Sequence, residues 1–506
     1  MLGKHDPNVE LLDAAAHCLE LVPQNSVYAL LADHRAELFP DEMFADLFRS
    51  GRGRPSVPGE VIASAMVLKE LEGLSDRQAA DALRLNIAWK VATGMALNDP
   101  GLHYTVFTYW RTRINNSVQP DRIKDAVKQV VDQTGILKGK KRRALDSTLL
   151  EDAVATQDTV TQLVSAIRKV RKLIVKAAGV EVTAHDYDAS GKPVCAWDDP
   201  EAKQALVTGL VNDALRIIQA VDGEELNQPQ ADAVGLLALV AGQDVEPGEG
   251  EGTWRIVRGV APDRTISTVD PESRHMHKSR SSYRDGYKAN VAVEPDTGII
   301  TDASLTAANV ADGPAGVELL NQEEPGLTVL ADSAYGSGQV RADLEAAQHT
   351  AVIKPLPLTM AVPGGYTRDD FKIDHQAKRA TCPAGYTVNI NAKGRASFQK
   401  HCRGCPLVDR CTTSKRGRVL VISQHDEHLV KARKQWIDPA VVAEYRQHRP
   451  MVERSISWLV ANNHRRVRYR GIKRNQFGLQ LRVAALNLRR LVNLGLDHNG
   501  SWILPE

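Results

Sequence analysis

The chain has 506 residues, 43% of them hydrophobic, and can bury several cores, so two to four structural units are expected rather than one compact domain. Its net charge of +2 decides little, but the charge is unevenly spread: eight acids and no Lys or Arg lie between Arg216 and Arg255, whereas ten Lys/Arg and no acid occur in residues 454–496. The first stretch would repel a polyanion and the second would hold one. The opening MLGKHDPNVE has no basic-then-apolar leader pattern, and the longest apolar run, about 233–241, is too short to span a bilayer, so a cytoplasmic protein without a membrane partner is expected. Six cysteines are too few for a disulfide scaffold in so long a chain.

From about residue 10 to 120, apolar residues recur every three to four positions, as in VIASAMVLKELEGL, which predicts an all-helical region over 1–125. Within it, LSDRQAADALRLNIAWKVATG reads as a helix-turn-helix: Ser75 and Asp76 cap a helix through Leu83, residues 84–86 turn, and a second helix begins at Ile87, placing Arg77 and Lys90 as DNA contacts. An ordinary helical hairpin would carry the same pattern. A basic cluster, Lys138 to Arg143, leads into ALDSTLL, read as a buried strand bearing Asp146, so that 138–153 begins a catalytic core. Residues 154–252 return to helical spacing and end in the acidic loop GQDVEPGEGEG. No phosphate-cradling glycine motif is present, so no nucleotide cofactor is expected.

Over 253–350 the core is expected to continue. GYKANVAVEP and TGIITDASLTA alternate with period two about a turn at 295–298, a helix follows from Asp312, and the apolar strand LTVLAD ends on Asp332. Residues 351–425 read as a β/cysteine-rich insertion. There Cys382, Cys402, Cys405 and Cys411 have intervening lengths of 19, 2 and 5 residues, a pattern open to a tetrahedral zinc site, with His401 as a spare ligand, or to reduced structural thiols. Residues 426–496 hold AEYRQHRPMVERSISWLVANN, where Val452, Ile456, Leu459 and Val460 form one helical face with Glu453 at its edge, and then a basic tail with Arg465, Arg466, Arg468, Arg470, Lys473, Arg474 and Tyr469. That tail is either a solvated basic helix or a phosphate-binding surface.

Asp146 and Asp332 each interrupt an apolar run, where an ionised carboxylate is costly unless paired or metal-bound. A strand-end Asp capping the next turn is the plainer alternative for each. Phosphodiester cleavage with two hard cations about 4 Å apart needs shared oxygen ligands, and three carboxylates on separate elements would supply them.

These segments carry a resemblance. VLADSAYGS, RALDSTLL and RPMVERSISW, with DPESRHMHKS and YRDGYKANVAVEPDTGIITDASLTAANVAD, are similar to the catalytic segments of bacterial insertion-sequence transposases of the DDE superfamily, in particular the subgroup with a cysteine-bearing insertion before the final glutamate. The resemblance implies an α/β ribonuclease H-like core with Asp146 on its first strand, Asp332 on its fourth and Glu453 on the helix that closes the site. It also implies Mg²⁺ or Mn²⁺, two ions, as cofactor. The partners implied are double-stranded DNA, both the terminal inverted repeats and the target, and a second copy of the chain in a synaptic homodimer near the nucleoid. Hydrolysis at the element's ends and strand transfer by the freed 3′-hydroxyl would follow. Related transposases carry Tyr-x2-Arg-x3-Glu-x6-Lys here. Arg449 and Glu453 keep their spacing, Tyr445 is one residue too far, and Val460 stands where the lysine would be. Arg449 and Tyr445 are carried over as DNA contacts. A nuclease of the same fold without transfer, or a domesticated DNA-binding regulator, are the competing readings.

Overall fold

The computed structural model describes residues 1–4, 11–48, 53–279 and 282–505. The ends of two expectations, residues 5–10 of the opening segment and 49–52 within the helical region, lie outside the described residues.

The N-terminal region is helical as expected: α1 (Ala14–Cys18), α2 (Val27–Leu38), α3 (Gly59–Glu72), α4 (Asp76–Leu85), α5 (Ile87–Thr93), α6 (Thr105–Asn115) and α7 (Arg122–Thr134). A capping box opens α4, Ser75 taking the Gln78 N–H while the Gln78 side chain takes the N–H of Ser75. Gly73 closes α3 with φ +72°, and a Cβ there would lie 1.9 Å from the Asn462 carbonyl oxygen, so only glycine lets the distant C-terminal turn approach. The helix-turn-helix expectation fails on burial. Five of the seven residues of α5 are buried against α2 and α3, and the Trp89 indole donates to Glu72. A recognition helix must show its face to a groove, and this one is core.

The chain then enters β1 (Arg142–Glu151) and leaves it for a helical excursion, α8 (Thr159–Leu173), α9 (Val175–Ala178), α10 (Pro200–Ala220) and α11 (Gln228–Gln243). These helices bury their own apolar cluster, from Val160 to Val245. The acidic segment, expected as a loop, is framed by a short ribbon of β2 (Val245–Pro247) and β3 (Trp254–Ile256). The sheet resumes with β4 (Arg274–Ser279), β5 (Ser282–Val293), β6 (Ile300–Ala307), α12 (Asp312–Glu318), β7 (Thr328–Ala331), α13 (Gly338–Ala346) and β8 (Thr350–Ile353). Small antiparallel strands follow, β9 (Lys372–Asp374), β10 (Arg379–Thr381), β11 (Thr387–Asn389), β12 (Arg395–Ser397) and β13 (Val419–Val421), with α14 (Gln399–Cys402) and α15 (Val408–Cys411) between the last two, around a core of Phe371, Phe398 and Leu420. The chain continues with α16 (Asp426–Gln435), α17 (Pro439–His448), α18 (Pro450–Val460) and α19 (Ile472–Asn493), followed by a short antiparallel ribbon of β14 (Asp497–His498) and β15 (Trp502–Ile503).

The main sheet runs β4-β5-β1-β7-β8, with β6 also on β5. β1 is antiparallel to β5 and parallel to β7, and β7 is parallel to β8. In chain order β7 is the fifth strand of this sheet, because β4 adds one at the far edge of β5 before β6. Helices cover both faces, as parallel pairing requires. On one face Ala144, Leu330 and Val291 pack with Val452 and Leu459 of α18 and Val483 of α19; on the other Leu145 and Val329 pack with Leu319, Val340 and Leu344.

α19 is apolar on two sides. Leu479, Val483 and Leu486 meet the sheet, while Phe477, Leu481, Ala484, Leu488 and Leu491 belong to the same core as the N-terminal helices. From Ile472 onward the basic C-terminal stretch is thus a central helix, whereas the bases of residues 465–471 lie ahead of it. Its Arg482 is 2% exposed, donates to the carbonyls of Leu459 and Leu71, and is pushed down to about 10 by burial. Among the described residues no helix is long and apolar enough to cross a membrane.

Candidate active site

Strand alternation decides which side chains meet. Asp146 follows Leu145, so it points to the α18/α19 face, while Ser147 points to the α12 face. β1 and β7 run parallel with Ala144 opposite Leu330, so continuing that register by two residues sets Asp146, in the middle of β1, level with Asp332, just past the carboxyl end of β7. Open α/β sheets place their sites at such strand ends. Asp332 also accepts the Ala334 N–H at 2.8 Å and so starts the short turn Ser333–Tyr335, which means that the capping alternative holds beside any other role.

Glu453 comes from α18. Pro450 occupies the first turn of that helix, where its missing N–H costs nothing, and Arg449 at the α17/α18 junction is turned inward. Arg449 is 4% exposed. Its Nη2 lies 2.8 Å from Asp146 Oδ2 and its Nη1 donates to Glu453 Oε1 at 3.4 Å. Asp146 and Glu453 are therefore joined through one guanidinium. Burial pushes the Asp146 carboxyl up; Arg449 and the Ser147 N–H oppose that, and the negative charge of Asp332 adds to it. Burial would lower Arg449, but Asp146 and Glu453 hold it above its ordinary value. Glu453 itself is 66% exposed on its side chain, at the mouth of the site. Tyr445 packs edge-on against Trp436, and its hydroxyl is raised by burial and by the charges of Asp332, Glu453 and Asp146, against the opposing charge of Arg449.

Sequence reasoning missed what lies behind β1. Ser147 Oγ donates to Asp312 Oδ1 at 2.8 Å, and Lys288 Nζ lies 2.8 Å from the same oxygen while donating to the Val310 carbonyl. Lys288 is 7% exposed on its residue as a whole. It falls on one of the polar positions of the alternation Tyr287-Lys288-Ala289-Asn290-Val291, so no local signal distinguishes it from a solvent-facing lysine.

The expected DNA contacts divide. Lys90 is buried, its ammonium donating to the carbonyls of Ala96 and Asp99, and it is not available to DNA. Arg468 is spent on the carbonyls of Gly73 and Leu74. Tyr469 is covered by the Arg111 guanidinium, 4.7 Å from its ring centre, which removes it as a stacking platform. Residues 465–467 run beside the end of β1: the Glu151 N–H donates to the Arg465 carbonyl, and the side chains of Arg465 and Arg466 donate to the carbonyls of Leu149 and Asp152. Both remain exposed, as do Arg470, Lys473, Arg474 and Arg77, although Lys473 donates to Asn116 and Arg77 lies over the Tyr104 ring.

Cys382, Cys402, Cys405 and Cys411 line one small cavity together with His401 and Tyr386. Cys402 Sγ accepts the Arg418 N–H at 3.4 Å, and burial pushes the Cys411 thiol up. As placed, no three carboxylate, thiolate or imidazole groups among the described residues stand close enough to grip an ion, at the cysteines or at the carboxylates.

Residues 252–488 match a family model described as a transposase DDE domain, and residues 17–113 match one described as a transposase domain. Together they span about two thirds of the chain. Asp332 and Glu453 fall within the first; Asp146 falls between the two, because the helical excursion α8–α11 separates β1 from the rest of the sheet. No curated protein and no solved structure matches the chain. A DDE domain implies a ribonuclease H-like core and an enzyme that generally uses divalent metal ions, and the mixed sheet with helices on both faces is of that kind. Both family matches are to transposase domains, and together they support an insertion-sequence transposase of the DDE family, a family of enzymes that act on DNA.

Proposed function

We propose that the chain binds the terminal inverted repeats of its own element, cleaves at the ends by metal-dependent hydrolysis and joins the 3′-hydroxyls to target DNA, with Asp146, Asp332 and Glu453 as the catalytic carboxylates. The observation that carries this reading is the level placement of Asp146 and Asp332 on adjacent parallel strands, with Glu453 tied to Asp146 through Arg449. A buried carboxylate that already holds a guanidinium is a place for positive charge, which is the fit Mg²⁺ or Mn²⁺ requires. When bound, the ions supply an activated water and stabilise the leaving 3′ oxygen. The chain's own part is to hold the three oxygen donors on rigid elements and to bring phosphates to them with Arg449, Tyr445 and the exposed bases Arg465, Arg466, Arg470, Lys473, Arg474 and Arg77. A homodimer would bring the two element ends together.

The test uses supercoiled DNA carrying the element with its flanks, in Mg²⁺. Wild type should give cut and joined products, and Asp332→Asn neither, while still retarding end-containing DNA in a gel. Retained cleavage by Asp332→Asn would remove this acid from the mechanism, and cutting without joining by wild type would make the chain a nuclease.

We also infer that the four cysteines hold one structural zinc ion, drawing closer around it than they stand here, on the grounds that all four line one cavity and that Cys402 already accepts a backbone N–H. The purified protein should carry one equivalent of zinc, lost in Cys402→Ser with Cys405→Ser. Zinc-free protein of undiminished stability would mean reduced structural thiols.

A further inference from the structure

We propose that Arg449 is a resident counter-cation: it occupies the charge position between Asp146 and Glu453 when no ion is bound, must leave it for the ion to enter, and is taken up by a phosphate of the bound DNA. This rests on the reading of those two acids as ion ligands. Three observations support it. The guanidinium reaches both carboxylates, at 2.8 and 3.4 Å, with only 5% of its side chain exposed. Of the two acids, Asp146 is the buried one and gains most from neutralisation, whereas Glu453 is largely exposed and can swing. Finally, the Nε–H of Arg449 is buried without an acceptor among the described residues. A guanidinium settled in its final place would pair its whole donor fork; this one lacks an acceptor on one edge, and a phosphate offers several oxygens to such a fork.

Charge competition follows directly. An ion approaching Asp146 meets a positive group already there, so ion affinity without DNA is weakened, and DNA that draws the guanidinium away restores it. An arginine that only tied α18 to β1 would affect stability and leave ion affinity alone.

Mn²⁺ is titrated into the full chain without DNA, free ion being read by electron paramagnetic resonance. Arg449→Gln, which keeps a neutral donor of similar reach, and Arg449→Ala should both bind Mn²⁺ about tenfold or more tightly than wild type, the scale on which an opposite charge beside a carboxylate acts. Arg449→Lys should stay near wild type. A random-sequence duplex at low salt should tighten Mn²⁺ binding by wild type and not by Arg449→Gln. Equal or weaker binding by folded Arg449→Gln, with Asp146→Asn still removing it, overturns the counter-cation and leaves the carboxylate assignment standing. Mn²⁺ binding that Asp146→Asn leaves untouched in the Arg449→Gln chain overturns the carboxylate assignment itself. A duplex that tightens binding equally in both chains overturns the transfer to phosphate.

Discussion

Away from the carboxylates, a second concentration of charge joins α3 to the C-terminal segment. Glu70, 4% exposed, lies 2.8 Å from Lys69 Nζ and 2.9 Å from His464 Nε2, and Lys69 reaches Asp76, which is itself paired with Arg111. Burial would raise the Glu70 carboxyl, but Lys69 and His464 outweigh burial and hold it well below its ordinary value of about 4.5. A depressed acid contributes stability that is present above its unfolded value and lost as pH falls through the folded one. Glu70→Gln, which leaves buried Lys69 without its carboxylate, should cost about 3 kcal/mol at pH 7. The gap in Tm between it and wild type should narrow steadily once pH drops below about 4.5. A gap of constant width from pH 7 to 3 would mean that the ionised carboxylate is not what stabilises this junction. At this scale the sequence is half legible. Asp146 and Asp332 announce themselves as charges inside apolar runs, because burying charge is costly enough to need a reason. The pairings of Arg449 with Asp146 and Glu70 with His464 span about 300 and 400 residues of chain, and no local pattern encodes them.

At the scale of elements, the basic segment 465–474 divides into bases used by the fold and bases facing solvent. Arg465, Arg466 and Arg468 hold the segment against β1 and α3, so their removal would confuse binding with stability. Arg470 and Arg474 are exposed and offer a cleaner test. Arg470→Ala with Arg474→Ala should leave Tm unchanged, weaken binding to any duplex, and make log affinity against log salt shallower by about 2, near 0.9 for each phosphate no longer neutralised. An unchanged slope would place DNA on another surface. Element identity is largely readable: the period-two strands about 295–298, the strand ending at Asp332 and the helices of the excursion lie where spacing puts them. The helix-turn-helix reading fails for a definite reason. Capping by Ser75 and the break at Asn86 are local and visible, whereas the burial of α5 under α2 and α3 depends on packing that capping residues do not reveal.

The whole molecule is a sheet interrupted by an excursion and clasped by its own termini. Gln157 and residues 266–268 sit side by side where the excursion leaves and returns, the Gln157 N–H donating to Ile266 and its side chain accepting the Thr268 N–H at 2.8 Å. Since α8–α11 bury their own core, replacing residues 159–264 with a short Gly-Ser linker should leave a chain that melts cooperatively. Aggregation of that variant would show that the excursion supports the sheet.

The clasp is α19. One helix serves as the floor of the N-terminal bundle and as a cover of the sheet, with Asn487 bonded to Ile300 in β6 on one side and Leu488 among the N-terminal helices on the other. The N-terminal helices and α19 are therefore complementary in shape, each fitted to the other. An N-terminal unit taken from another chain would bring a bundle shaped for a different floor and would leave Leu481, Leu488 and Leu491 of α19 without their fitted partners.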